Sequence, residues 1–323
     1  MLIAFVLFYL ALNLAVGWWA SKKVHTTQDF VLAGRNLPFA LATMVTFATW
    51  FGSETILGAP REFVHGGVLS IIEEPFGAAL GLVIVGTVYA RKLYPLKVLT
   101  FSDYFRQRFG HFSEKLSAIV MVPSYFGWIS AQLVALGLTL HLLLPISTEW
   151  GIVFGAILVM TYTLLGGMWS ISITDFLHNI ILIIGLAFLA FLLYQKTPDV
   201  GAIIERQNDN FFQFTPQKHD ATSWLTYLAA WITIGLGSIP QQDIFQRVMS
   251  AKSAHVAGIA SFSAGIMYLS VAMLPLLIAF LGVSLYPSLL SDDMLLIPHL
   301  VMKFTPTGVQ ILFLGALLSA LLS

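Results

Sequence analysis

The sequence contains no cysteine and few charged residues. Lys and Arg number 16, Asp and Glu number 16, and charged residues make up only 10% of the 323 residues. The absence of cysteine excludes disulfides and thiolate metal sites, and the eight histidines show no metal-ligand spacing. A net charge of zero gives no indication of a nucleic-acid partner. In a soluble domain about a quarter of the residues are charged, so the low fraction of charged residues excludes an ordinary soluble protein.

The chain is rich in apolar residues, which account for 58% of its length. A membrane-spanning helix needs about 17–25 consecutive, mainly apolar residues, and runs of this length recur from end to end. We therefore predict an all-α integral membrane protein with about nine spans. The predicted spans lie near residues 2–20, 37–64, 68–90, 114–144, 150–166, 173–195, 222–240, 254–282 and 307–323.

The first run, 2–20, lacks the basic leader and the small-residue cleavage site of a signal peptide, so we interpret it as the first span. Positive residues concentrate on one side when the N-terminus is placed outside the cell. Lys22 and Lys23, and later Arg91 and Lys92, then follow spans on the inner side. This inside excess predicts a multi-pass protein of the cell (plasma) membrane with its N-terminus outside.

Two of the predicted spans are interrupted by residues that weaken helices. The second span contains the tetrapeptide WFGS at 50–53, and the seventh ends in GLGSIPQQDIFQR, with Gly235, Gly237 and Pro240. Either interruption alone would be typical of ordinary glycine-mediated helix packing. Interruptions at matching places in two halves of a chain indicate an inverted-repeat transporter instead.

An unwound turn within a membrane helix leaves backbone carbonyls without helical partners. Such oxygens suit a hard cation such as sodium, and the partial charges at the half-helix ends suit a polar solute beside it. A second source of oxygens is the segment GALLSALLS, where Ala320 and Ser323 share a helix face. From these residues alone, the serine is more typical of a side chain that bonds to its own helix.

Several segments carry a resemblance to a known family: DFVLAGRNLP, ATWFGSETILGAP, TYTLLGGMWSISITDF, IPQQDIFQRVMSAKSA and LLSALLS. Together they resemble the sodium/solute symporter superfamily over essentially the whole chain and, within it, the high-affinity choline transporter branch. The resemblance implies a LeuT-like fold, which is a five-plus-five inverted repeat, with one extra N-terminal helix.

The resemblance also implies a single transmembrane transporter domain over 1–323. Within it, 1–20 is the extra helix, 37–195 is the first repeat and 222–323 is a partial second repeat. Because the chain stops inside the eighth core helix, we expect a C-terminally truncated sequence whose second repeat is incomplete.

A sodium site between the first broken helix and the eighth core helix follows from the same resemblance. Carried over residue by residue, its ligands are the carbonyls of Ala48, Phe51 and Ala320 and the hydroxyl of Ser323. Sodium is therefore the expected coupling ion.

Transporters of the choline branch surround the quaternary ammonium of choline with Trp side chains, whose π faces attract a cation. Two such positions match here, Trp50 and Trp128. The third falls on Gln241, which offers an amide instead of a ring. The expected solute is therefore an organic cation, or a smaller or more polar molecule such as an amino acid or another zwitterion.

Glu54 is a second departure from the choline branch, whose members are not acidic at this position. A carboxylate within a span is costly and usually functional. Three interpretations stay open: Glu54 could counter a solute cation, bind a proton or a second sodium, or face the outer vestibule paired with Arg61, two helical turns away. The neighbouring Ser53 could form a hydrogen bond with solute or with backbone.

Asp175 matches a Thr-Asp element of the family at the inner start of the fifth core helix, where the resemblance implies a residue of the inner ion pathway. Alternatively, Asp175 caps that helix and complements its dipole. Asp243 and Arg247 lie one helical turn apart, so we also expect an ion pair between them.

These expectations converge on secondary active transport, in which sodium moving down its gradient carries a small organic solute inward by alternating access. No bond is made or broken, so we expect a transporter and not an enzyme. Its partners would be a small solute and the lipid bilayer, with no nucleic acid. A membrane solute sensor of the same fold is the alternative function.

Overall fold

The computed structural model describes residues 2–291 and 295–322, and these ranges contain helices but no β-strand. Ser323, an expected sodium ligand, lies outside the described residues. The α-helices are α1 Leu2–Ser21, α2 Thr27–Leu32, α3 Phe39–Ala48, α4 Ala59–Gly66, α5 Ala78–Ile84, α6 Ala90–Leu93, α7 Phe101–Phe109, α8 His111–Leu143, α9 Thr148–Lys196, α10 Val200–Glu205, α11 Ala221–Gly235, α12 Gln242–Ser250, α13 Ala254–Leu285, α14 Leu296–Phe304 and α15 Thr307–Leu322. The prediction of an all-helical chain is confirmed.

Five helical runs of the described chain are long and apolar enough to cross a membrane. They are Ile3–Ser21, Val68–Leu96, His111–Leu143, Thr148–Lys196 and Ala254–Leu285. The run Val68–Leu96 joins α5 and α6 through 3₁₀ and π segments. The sequence predicted more spans because it counted interrupted and short runs, and α3 and α15 are apolar helices of this shorter kind.

The fifth and sixth predicted spans, 150–166 and 173–195, both lie in α9, which consists of two helical halves on either side of a kink. The helix kinks at Gly167, which has φ 49° and ψ −139°. A Cβ atom at Gly167 would lie 2.3 Å from the carbonyl oxygen of Phe30. Only glycine allows this backbone conformation and this close approach together.

The two interruptions that the sequence predicts are present. The helix α3 ends at Ala48, and helical structure resumes as a π-helical turn at Glu54–Gly58 that leads into α4. The helix α11 ends at Gly235, and α12 begins at Gln242. We refer to residues 49–53 as the first break and to residues 236–241 as the second break.

The long helix α13 packs against α3, α5 and α9 and so brings the first break into the core. Its approach to α5 is close, because a Cβ atom at Gly265 would lie 2.9 Å from the carbonyl oxygen of Ala79. One turn further along α13, Tyr268 is fully buried. This packing places the Tyr268 hydroxyl next to the first break.

The N-terminal helix α1 packs against α9 and α15 through buried polar side chains. The hydroxyl groups of Tyr9 and Ser319 are 2.5 Å apart, and Nε2 of His178 lies 2.6 Å from Oδ1 of Asn13. Buried polar groups are stable when they are hydrogen-bonded in this way. The helix α1 is thus bonded directly to the helix that carries Ala320.

Candidate functional site

A cavity of about 300 Å³ lies where the two breaks face each other, and we name it the central cavity. Its lining residues are Trp50, Glu74, Ala78, Ser124, Tyr125, Trp128, Thr233, Ile234, Ser238, Gln241 and Asp243. Trp50, Trp128 and Gln241, which are far apart in the sequence, therefore share one cavity. Trp50 is only 7% exposed, whereas Trp128 is 39% exposed.

Asp243, in the first turn of α12 just after the second break, is hydrogen-bonded to the first break. Its Oδ2 accepts a hydrogen bond from the indole Nε1 of Trp50 at 3.0 Å, and its Oδ1 accepts one from the hydroxyl of Tyr125 at 3.2 Å. The expected ion pair with Arg247 is replaced by other contacts, since Nε of Arg247 donates to Oγ1 of Thr49 at 2.9 Å. The spacing of Asp243 and Arg247 in the sequence predicts only that pair and gives no sign that Asp243 lines the cavity.

Glu74 is a buried carboxylate that the sequence analysis did not consider. Its Oε1 accepts hydrogen bonds from the hydroxyl of Tyr268 and, at 2.9 Å, from Oγ1 of Thr55. The same Tyr268 hydroxyl lies 3.2 Å from the carbonyl oxygen of Trp50. The signal in the sequence was the pair Glu73-Glu74 inside an apolar run, because carboxylates are rare within spans.

A second cavity of about 510 Å³ adjoins the central cavity, and we name it the acidic cavity. It shares Glu74, Trp128 and Ile234 with the central cavity. The other lining residues are Glu54, Ala59, Glu62, Ser70, Ile71 and Glu73. Four carboxylates therefore line the space next to the central cavity.

Ser53 and Glu54 do not line the central cavity. They line a separate cavity of about 340 Å³ that also contacts Arg61, and Glu54 reaches the acidic cavity as well. The carboxylate of Glu54 folds back over its own helix, because a Cβ atom at Gly58 would lie 2.6 Å from its Oε1. The backbone N–H of Ser53 donates to Oε1 of Gln132 at 3.1 Å.

The expected sodium ligands Ala48 and Ala320 line a common cavity of about 190 Å³ together with Gln132. The carbonyl oxygens of Ala48 and Phe51 accept no hydrogen bond from any residue that the structure describes. The ring of Phe51 is fixed between Phe47 and Tyr268, with ring centroids 4.7 and 5.5 Å away. Carbonyl oxygens that accept no hydrogen bond are free to coordinate a hard cation, so the residues present fit sodium.

Gln132 was also missed by the sequence analysis. Its Oε1 accepts from Ser53, while its Nε2 is buried without a hydrogen-bond partner among the described residues. Gly52 allows this approach, because a Cβ atom there would lie 2.7 Å from Nε2 of Gln132. Nothing in the sequence around Gln132 singles it out, since its position depends on how α8 crosses the first break.

Asp175 is buried, with 1% of its surface exposed, and lies well inside α9. The kink at Gly167 precedes it by more than two turns, so Asp175 is not in the first turn of a helix. The interpretation of Asp175 as a helix cap is therefore wrong. Its assignment to an ion pathway stays a prediction.

The model of the sodium:solute symporter family matches residues 30–323. The high-affinity choline transporter 1 of Drosophila melanogaster is 29% identical over 338 residues, which cover 99% of this chain and 53% of that protein. The high-affinity choline transporter 1 of Torpedo marmorata is 29% identical over 349 residues, covering 100% of this chain and 58% of that protein. The chain thus spans about half the length of the curated relatives that it matches.

The fold is similar to that of a solved transporter, a Na⁺-coupled sialic acid symporter in a substrate-bound outward-open state. The TM-score is 0.87 at 20% sequence identity, and the match covers 99% of this chain and 69% of that one. At this level of identity the likeness concerns the fold alone.

Proposed function

Because the chain belongs to the sodium:solute symporter family, we propose that it moves a small organic solute across the cell membrane together with sodium, by alternating access. It is a multi-pass membrane transporter and not an enzyme. The observation that carries the proposal is that residues of both breaks line the central cavity, where Trp50 of the first break is also hydrogen-bonded to Asp243 in the first turn of α12. A cavity at interrupted helices is where transporters of this architecture bind their cargo.

The proposed sodium site consists of the carbonyls of Ala48, Phe51 and Ala320, with the hydroxyl of Ser323 as a further ligand. The carbonyls of Ala48, at the end of α3, and of Phe51, in the first break, support it, since they have no hydrogen-bond donor among the described residues. The position of Ala48 and Ala320 in one cavity supports it as well. Sodium is the proposed coupling ion.

The proposed solute site is the central cavity, with Trp50 and Trp128 as aromatic walls and Gln241 as a hydrogen-bonding group. Glu54 belongs to the proposed approach to this site, because it lines the acidic cavity, which shares residues with the central cavity. Ser53 lies further out on this approach, in a cavity that Glu54 also lines. Asp175 is the proposed residue of the inner ion pathway. We place the N-terminus outside the cell, following the distribution of Lys and Arg.

Coupling between the ion and the solute follows because both would bind to the same segment of the chain, residues 48–51. Ala48, the last residue of α3, and Phe51 lie on either side of Trp50 in the chain, so an ion bound to their carbonyls fixes the segment that positions the Trp50 ring. A ligand shifts a conformational equilibrium only through its different affinity for the two states. Sodium therefore stabilises the conformation in which Trp50 faces the solute, and the solute in turn raises the affinity for sodium.

The test is solute uptake by the full-length protein in proteoliposomes with an imposed sodium gradient. Uptake should stop when lithium or potassium replaces sodium, and sodium at a hundred times its dissociation constant should stabilise the protein by about 2.7 kcal/mol. Uptake that continues unchanged without sodium would refute the coupling. A protein that binds solute in a sodium-dependent way but never accumulates it would be a sensor.

A further inference from the structure

We propose that the solute is a protonated primary or secondary amine, held in the central cavity between the carboxylates of Glu74 and Asp243. This inference rests on the proposed function and narrows it, because it distinguishes amines with N–H donors from quaternary ammonium compounds and from zwitterions.

The first argument concerns charge. Glu74 and Asp243 are the acidic residues that line the central cavity, and no Lys, Arg or His is among its lining residues in the described chain. The nearby Arg247 binds Thr49 and Gln246 instead of either carboxylate. Carboxylates within a membrane protein are costly unless an opposite charge compensates them. A cationic solute would supply the missing positive charge.

The second argument concerns hydrogen-bonding capacity. The donors to these carboxylates are neutral: Trp50 and Tyr125 bind Asp243, while Thr55 and Tyr268 bind Glu74. Both donors to Glu74 bind Oε1, and Oε2 accepts no hydrogen bond from any residue in the described part of the chain. A carboxylate accepts up to about four hydrogen bonds, so both groups keep capacity for N–H donors of a solute.

The third argument concerns the walls of the cavity. The rings of Trp50 and Trp128 attract a cation through their π faces. Gln241 replaces a third ring with an amide, so the aromatic enclosure is open on that side, and Ser124, Thr233 and Ser238 add hydroxyl groups. A cavity with two rings and several polar groups is a better fit for an ammonium group with N–H donors than for a fully methylated ammonium group, which has none.

The fourth argument concerns access. The acidic cavity adds Glu54, Glu62 and Glu73 next to Glu74, and no Lys, Arg or His is among its described lining residues. A cavity lined by one sign of charge concentrates ions of the opposite sign. A zwitterion or an anion would bring its own carboxylate against these groups, and that repulsion disfavours both classes.

The test is a series of ligands that differ only in the number of N-methyl groups: ethanolamine, its monomethyl and dimethyl derivatives, and choline. Binding is measured with the purified full-length protein by tryptophan fluorescence in saturating sodium, and each compound is also tested for sodium-driven uptake. Ethanolamine and the monomethyl compound should bind at least about tenfold more tightly than choline, because a hydrogen bond to a charged group has roughly this effect. Tighter binding of choline, or of glycine betaine or proline, would overturn the inference.

Two substitutions test the roles of the two carboxylates, and a third substitution at an exposed glutamate is the matched control. Asp243→Asn and Glu74→Gln should each weaken amine binding about tenfold or more and reduce the preference over choline. Glu205→Gln, on the exposed helix α10, should leave both unchanged. The ratio of the two dissociation constants is measured within each variant, so it does not depend on the amount of folded protein, and a ratio that stays at the wild-type value in both variants would refute the proposal.

Failure of this inference is distinguishable from failure of the proposed function. Sodium-driven uptake of a zwitterion, without amine binding, would refute the proposal that the solute is an amine and would still support sodium-coupled transport. Amine binding that depends on Glu74 and Asp243, without sodium-driven uptake, would support the amine site and refute symport.

Discussion

The hydroxyl of Tyr268 on α13 donates a hydrogen bond to Oε1 of Glu74, and the same hydroxyl lies 3.2 Å from the carbonyl oxygen of Trp50. A side chain from α13 therefore contacts both the buried carboxylate of the central cavity and the backbone of the first break. Because Glu74 is buried, losing this hydrogen-bond donor would leave its carboxylate less satisfied and would destabilise the fold.

Tyr268→Phe should lower the free energy of unfolding by about 1–3 kcal/mol, since it removes a donor to a buried carboxylate without changing the shape of the ring. The measurement is thermal unfolding of the purified full-length protein in detergent. Tyr194→Phe is the control, because Tyr194 is 59% exposed. Equal unfolding temperatures for the two variants would show that the Glu74 contact does not stabilise the fold.

Trp50→Ala should weaken solute binding more than it destabilises the protein, because the ring forms a wall of the cavity. Trp50→Phe should retain part of the affinity, since it keeps an aromatic face but loses the N–H that binds Asp243. The measurement is the dissociation constant of the solute beside the unfolding temperature, with the exposed Trp150→Ala as control. Wild-type affinity in Trp50→Ala would exclude Trp50 from the solute site.

Gln241→Trp should shift selectivity towards quaternary ammonium compounds by adding a third aromatic wall. A cation–π contact contributes about 0.5–2 kcal/mol, so the affinity for choline should rise between about twofold and thirtyfold. The matched compound is 3,3-dimethyl-1-butanol, which has the shape of choline without its charge. A gain for this neutral compound equal to the gain for choline would show that the effect is packing and not cation–π attraction.

Gly52→Ala should weaken sodium binding, because its Cβ atom would lie 2.7 Å from Nε2 of Gln132 and displace the side chain that binds the Ser53 N–H. The matched control is Gly127→Ala in α8, where an added Cβ atom meets nothing within 4 Å. That control should stabilise the helix by about 0.5–1 kcal/mol. The measurement is the sodium concentration at half-maximal stabilisation, and an unchanged value in Gly52→Ala would contradict the role of the first break.

The positions of the breaks could be predicted from the sequence because glycine and proline act locally on a helix. The resemblance supplied Trp50, Trp128 and Gln241, and the structure brings these three residues to one cavity. The glycines of the motif TYTLLGGMWSISITDF also mark a local feature, since the kink between the two halves of α9 lies at Gly167.

Glu74 and Asp243 could not be placed from the sequence because their partners are distant along the chain. Trp50 precedes Asp243 by 193 residues, and Glu74 precedes Tyr268 by 194 residues. A single sequence gives the helical face of a residue but not the helix that will pack against it. The same reason explains Gln132, whose contact with the first break depends on the crossing of α8.

The segment before α3 and the segment after α12 are joined by backbone hydrogen bonds. The N–H of Leu37 donates to the carbonyl of Ser250, and the N–H of Lys252 donates to the carbonyl of Leu37, both at 3.0 Å. The start of α3 and the end of α12 are therefore held together by backbone hydrogen bonds, at the ends of these helices that lie furthest from the breaks. Separating these two ends would break both hydrogen bonds, so we expect α3 and α12 to move together in any opening on this side.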